Sequence, residues 1–175
     1  MMKFPLFRFP GLQFVLLGWL LLAGNAMAAE AQAWLLLSPT RDDGVMTLNA
    51  EEKNVLVNAG WSVDGTGLVQ TEPAPGSALL HRMLRKRPEG IDRMLESDET
   101  KLAERLKAGF VEEGLLGYVA AKEGPERIPV VQFTKGEQRL WLVDAQSQKT
   151  AEEKGWKKQG VQFWLWPIGG AKAAE

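Results

Sequence analysis

Apolar and polar residues alternate along positions 33–167 in short runs that recur three times in one order. Trp34–Leu37 and Val45–Leu48 are apolar runs of strand length flanking Arg41-Asp42-Asp43-Gly44. Leu79–Leu84 and Ile91–Leu95 flank Pro88-Glu89-Gly90, and Val130–Phe133 and Leu140–Val143 flank Lys135-Gly136-Glu137. Each pair predicts a hairpin, with Gly44, Gly90 and Gly136, 46 residues apart, at turns that need a residue without Cβ. A charged, helix-compatible stretch follows each hairpin: Ala50–Asn58, Glu99–Lys107 and Ala145–Lys154. Asn49, Asp98 and Asp144 precede them as caps, since a short side-chain oxygen satisfies the orphan amides of a first turn. Val55, Leu56 and Ala59 form the apolar stripe of the first helix; Leu102, Ala103 and Leu106 form that of the second. The third stretch carries few large apolar residues.

Each helix runs into a hexad of pattern G-[WF]-x-x-x-G: Gly60-Trp61 to Gly65, Gly109-Phe110 to Gly114, and Gly155-Trp156 to Gly160. The first glycines stand 49 and 46 residues apart, and each is placed where a helix C-cap takes positive φ. A further strand follows each hexad, over Thr66–Gln70, Leu115–Ala120 and Val161–Trp166. Self-similarity at this period predicts an α+β, pseudo-threefold domain of three ββαβ-like repeats (about 33–70, 79–120 and 129–167), with a β core and three short helices. Closure of the strands as a barrel or as a propeller-like ring is left open by the pattern. Pro73–Ser77 and Lys122–Arg127 read as linkers between copies.

The N-terminus changes the picture of the compartment. Lys3 and Arg8 precede a ten-residue apolar run, Phe14–Ala23, and Ala26-Met27-Ala28 offers small residues to a signal peptidase. The run is shorter than the ~20 residues a membrane-spanning helix needs. Residues 1–28 are therefore expected to be a cleaved signal peptide, 29–168 a single domain and 169–175 a flexible tail, with the mature chain in the periplasm or outside the cell. Without Lys3 and Arg8 the chain keeps 19 basic against 22 acidic residues, which gives no general attraction for nucleic acid. There is no cysteine, so burial rather than disulfides must stabilise an exported chain.

These residues resemble a bacterial family of secreted three-copy domains of unknown function. Its unit combines a tyrosine-rich strand, a His-Phe-Tyr-Thr-Thr-like strand, a helix and a Gly-Trp-x-x-Glu-Gly segment. Gly109 to Gly114 with Gly117-Tyr118 is the copy most similar to it, Met46-Thr47 keeps a trace of the second strand, and Ile128-Pro129-Val130-Val131 is similar to the start of a unit. The family's histidine and most of its tyrosines are missing, leaving His81 and Tyr118. The resemblance implies an accessory or binding role outside the cytoplasm and brings no established activity.

Candidate chemistry is sparse. Nucleophilic catalysis needs a base beside its nucleophile, and the lone His81 has no serine motif near it. One histidine without cysteine does not make a zinc site, and no phosphate-cradling glycine motif is present. Carboxylates at Asp42, Asp43, Glu112 and Glu113 read as solvated turns, although paired carboxylates alone can cleave glycosides. Trp61, Phe110 and Trp156 are expected as core rings where helix meets strand. With Gly60, Gly65, Gly109, Gly114, Gly155 and Gly160 they form the structural signature of the repeat. In the last strand Gln162, Trp164 and Trp166 share one face, either buried or an exposed aromatic ledge. Arg82, Arg85, Lys86 and Arg87 form a basic run, either a contact for anionic partners or a solvated hairpin tip. Binding candidates are thus Trp164, Trp166, Tyr118, Arg82, Arg85, Lys86 and Arg87, with no catalytic residue, metal or cofactor expected. The composite expectation is a non-catalytic module binding envelope polysaccharide or another exported protein. A small carbohydrate-active hydrolase and a structural subunit of an envelope assembly are the alternatives.

Overall fold

A computed structural model of the chain describes residues 29–40, 42–88 and 90–169. The expected signal segment 1–28, the tail beyond Gly169, Arg41 and Glu89 lie outside the described residues. Among those described, the elements in order are β1 (Glu30–Leu37), β2 (Gly44–Thr47), α1 (Ala50–Asn58), β3 (Ser62–Gln70), β4 (Ser77–Arg87), β5 (Gly90–Glu96), α2 (Glu99–Lys107), β6 (Val111–Ala120), β7 (Ile128–Lys135), β8 (Gln138–Leu142), α3 (Ala145–Glu153) and β9 (Lys157–Leu165). The protein is β-rich, with three short helices on an open antiparallel sheet. No helix among the described residues is long and apolar enough to cross a membrane.

β1 lies between β2 and β3, β4 between β5 and β6, and β7 between β8 and β9, every pair antiparallel. Each of these middle strands meets its third strand across register shifts, at Leu35/Leu36, at Leu79/His81 and Arg82/Met83, and at Val130/Val131 and Gln132/Phe133, where bulges sharpen the twist. β3, β6 and β9 touch one another through single residue pairs: Gln70 with Tyr118, Ala120 with Trp164, and Leu68 with Trp166. The larger core cluster draws on all three groups, including Ala33, Leu80 and Val130, each with no exposed surface. A second cluster, Leu37, Val131, Phe133, Leu140, Leu142, Ala151 and Trp156, lies under α3.

Polar side chains tie the groups together where apolar burial alone would leave backbone unpaired. Asp64 Oδ2 accepts from the Val143 N–H at 2.6 Å, Gln162 Nε2 donates to the Leu95 carbonyl at 2.8 Å, and Arg82 Nη1 donates to the Met46 carbonyl at 3.3 Å. Gln162 also accepts from Trp141 Nε1 at 2.9 Å. Each tie joins one hairpin group to the next, and the three together run from group to group around the molecule.

Asn49, Asp98 and Asp144 cap the three helices, accepting from first-turn amides at 2.8, 3.0 and 2.7 Å. Gly60, Gly109 and Gly155 follow the helices at φ 89°, 86° and 82°. The next residues, Trp61, Phe110 and Trp156, donate backward to Leu56, Arg105 and Ala151, a Schellman closure that swings each ring toward the sheet. The expected apolar stripes are only partly turned inward: Leu102 packs on the core and Leu56 is half-buried. Val55 is 67% exposed and Leu106 50%, and Ala151 is the one buried residue among the described helices. Capping fixes both ends of each nine-residue helix, and the strands themselves fill most of the core. Alanine at 151 lets α3 sit close to the sheet.

Two other expectations are corrected. Gly44 is not a turn glycine: it opens β2, pairs with Leu37, is buried, and has no left-handed φ. The final strands begin inside the hexads, at Ser62, Val111 and Lys157, about four residues earlier than predicted, because the glycines there permit extended pairing rather than ending it.

Candidate functional site

Hairpins β1–β2, β4–β5 and β7–β8 bring their tips to one end of the molecule, where a cavity of about 210 Å³ opens between them. Its walls come from corresponding places in the three hairpins. Asp42-Asp43, Ile91-Asp92 and Glu137-Gln138 stand seven and six residues before the caps Asn49, Asp98 and Asp144, and all six line the cavity. The next position is Gly44, Arg93 and Arg139 in turn, of which the two arginines also line it, together with Arg87.

The lining is a network of charges. Asp92 is only 5% exposed, yet it takes three guanidiniums. Its Oδ2 accepts from Arg85 Nη2 at 2.9 Å and Arg87 Nη2 at 2.6 Å, and its Oδ1 from Arg139 Nη1 at 3.1 Å. Arg85 and Asp92 are direct cross-strand partners, so the β4–β5 register itself presents acid to base. Arg139 comes from the third hairpin, and Arg93 reaches back from the second to Asp43 of the first. Arg87 and Arg85 also contact Glu137. Asp92 is the buried centre of this network, and losing its arginines would leave a buried carboxylate unpaired. Burial pulls the Arg139 guanidinium below its ordinary value, against the opposing charge of Asp92. Burial pushes the Asp43 carboxyl up, against the pull of Arg93. Asp42 is held low, chiefly by the Thr40 hydroxyl and with help from Ser38.

The basic run expected at a solvated tip is therefore largely internal. β4 extends through it to Arg87; Arg85 and Arg87 turn into the charge network, and Arg82 pairs with Glu52 at 2.9 Å and Glu113 at 3.4 Å. Of the four cations, Lys86 alone is exposed. Arg85 also lies 4.6 Å over the Phe110 ring. Phe110 and Trp156 are each 4% exposed, whereas Trp61, at the same place in the first hexad, is half-buried. Gly65 abuts Val143, while Gly114 and Gly160 face open space. Tyr118, Trp164 and Trp166 lie far from the tips, half-buried where β3, β6 and β9 meet, and the Arg127 guanidinium sits 5.7 Å over the Trp166 ring. The aromatic ledge is thus partly covered.

Of the carboxylates singled out in the sequence, Asp42 and Asp43 line the tip cavity, while Glu113 pairs with Arg82 and Glu112 accepts from His81 Nδ1 at 3.0 Å. His81 is buried, and among the described residues its Nε2 has no hydrogen-bond partner. No group of three or more metal-ligating side chains is found among the described residues. Sequence reasoning missed Asp92, Arg93, Glu137, Gln138 and Arg139. The signal was present in their constant distance from the caps, overlooked because each hairpin tip, taken alone, reads as solvent-facing charge.

Residues 32–166 match a family model described as Domain of unknown function (DUF5648). No curated protein and no solved structure matches the chain.

Proposed function

Taking as premise that the chain belongs to this domain family, we propose that it is a non-catalytic exported binding module that holds an envelope glycan in the tip cavity. The observation that carries the reading is the cavity's lining: carboxylates and guanidiniums from three hairpins, fixed against one another, around an opening of about 210 Å³. Carboxylate lone pairs and planar N–H forks suit adjacent hydroxyls, and the half-exposed Ile91 supplies an apolar contact at the rim. Catalysis is less well supported, because Asp43, Asp92 and Glu137 have oxygens engaged by arginine donors rather than poised to hand over a proton. The same reading takes the fold as three copies of one ββαβ unit around a pseudo-threefold axis passing near the cavity. It is supported by the repeated caps, Schellman closures and strand order.

The test is retention of mature protein (29–175) on a panel of immobilised envelope polysaccharides, beside Arg139→Ala and Ile91→Asp. Binding to at least one polymer, weakened tenfold or more in both variants, is the expected result. Retention only on exported proteins would replace glycan by protein as partner. Release of reducing sugar, abolished by Asp43→Asn, would replace the module by a hydrolase.

A further inference from the structure

The charge network at the tips is a ring with one vertex missing. Counting back from the caps, position −5 of the second hairpin (Arg93) reaches position −6 of the first (Asp43), and position −5 of the third (Arg139) reaches position −6 of the second (Asp92). The pair that would close the circle joins position −5 of the first hairpin to position −6 of the third. Those residues are Gly44 and Gln138, so there is no guanidinium and no carboxylate at that vertex. Gln138 lines the cavity, and the empty vertex is flanked by Asp42 on one hairpin and Glu137 on the other.

Asp42 differs from the other lining carboxylates. Asp43, Asp92 and Glu137 each contact an arginine, while the side-chain donors to Asp42 among the described residues are the Ser38 and Thr40 hydroxyls, both on Oδ1; the Lys154 ammonium, which donates to the Thr40 carbonyl at 3.2 Å, acts on it by charge alone. Its Oδ2 receives no side-chain donor among the described residues, and the side chain is open to solvent. With Arg85 behind Asp92 the network is close to neutral, so net charge does not choose the ligand. The uncommitted oxygen beside a missing guanidinium does. We infer that the cavity takes a ligand bearing an ammonium or guanidinium group, which occupies the third vertex and donates to Asp42. This inference rests on the binding-module reading and narrows it to glycans with free amino groups; a basic protein side chain offers the same chemistry.

Calorimetric titration of mature protein with glucosamine and agmatine, against glucose and N-acetylglucosamine, tests it. The two amines are expected to bind at least about tenfold tighter than the neutral sugars, the worth of one charge-assisted hydrogen bond, and Asp42→Asn is expected to remove that preference. Glucosamine well ahead of agmatine assigns the group to an amino sugar, and the reverse to a protein side chain. Arg41 follows Thr40 in the chain and lies outside the described residues; Arg41→Ala is expected to bind amines at least as tightly as wild type. Equal binding of amines and neutral sugars overturns the inference and leaves a binding module standing. An amine preference that survives Asp42→Asn, or that disappears in Arg41→Ala, overturns it as well.

Discussion

Trp156→Ala against Trp61→Ala measures how much of the stability rests on matched rings. Both follow a Schellman glycine, but Trp156 is 4% exposed and belongs to the cluster with Phe133 and Leu142, while Trp61 is half-buried. An aromatic ring buries about 200 Å². At about 25 cal/mol per Å² this is worth about 5 kcal/mol, an upper bound because an unfolded chain already hides part of that area. Truncation series put Trp→Ala in cores at about 3–5 kcal/mol, a large share of the ~5–15 kcal/mol that holds a domain. Trp61, partly open to solvent, should cost about 1 kcal/mol less than Trp156 by the same area rule. Guanidinium chloride unfolding of residues 29–175, followed by circular dichroism, should show Trp156→Ala with a much lower midpoint and an unchanged slope. Its melting temperature should fall by about 10 °C or more. The reasoning fails if Trp156→Ala stays within about 1 kcal/mol of wild type, or if the two substitutions cost the same.

Two further outcomes follow from the geometry. Gly65 has no left-handed φ, but an added Cβ would stand 2.6 Å from Val143 Cβ, so Gly65→Ala should cost about 1–3 kcal/mol and Val143→Ala should recover part of it in a double-mutant cycle. Strict additivity of the two substitutions would show that the close approach does not matter. Asp98 is held at about 2, below its ordinary 3.8, by the Thr100 hydroxyl first and Lys101 next. A depressed carboxylate stabilises above its unfolded value, and that contribution is lost as the pH falls from about 4 to about 2. Asp98→Asn should therefore flatten the acid limb of urea midpoints measured across that window; an unchanged limb would refute the assignment.

Local signals were legible wherever a residue's job is set by its neighbours in sequence. The caps Asn49, Asp98 and Asp144 and the glycines Gly60, Gly109 and Gly155 do what their chemistry requires of them. Helix faces were only partly legible: Leu102 packs on the core as its spacing suggests, while Val55 and Leu106 look equally apolar and only the assembled sheet leaves them outside. Gly44 misled for a related reason: a glycine near a turn suggests a turn, but here it makes room beside Leu140. The site was hidden more deeply. Asp92 meets Arg139 across 47 positions and Asp43 meets Arg93 across 50, so each charge looks solvated until all three tips converge.

The path of the backbone also decides which end of the molecule is free. Glu30 pairs with Gln70, and Trp166 pairs with Leu68 two residues earlier on that strand, so the first and last described strand segments flank β3 at the end remote from the hairpin tips. A tag, carrier or second domain joined directly at Ala29 or Ile168 would emerge behind the charged opening and leave it unobstructed. Cutting the chain in the 73–77 connection and joining the old ends with a short bridge should yield a permuted protein with the opening intact.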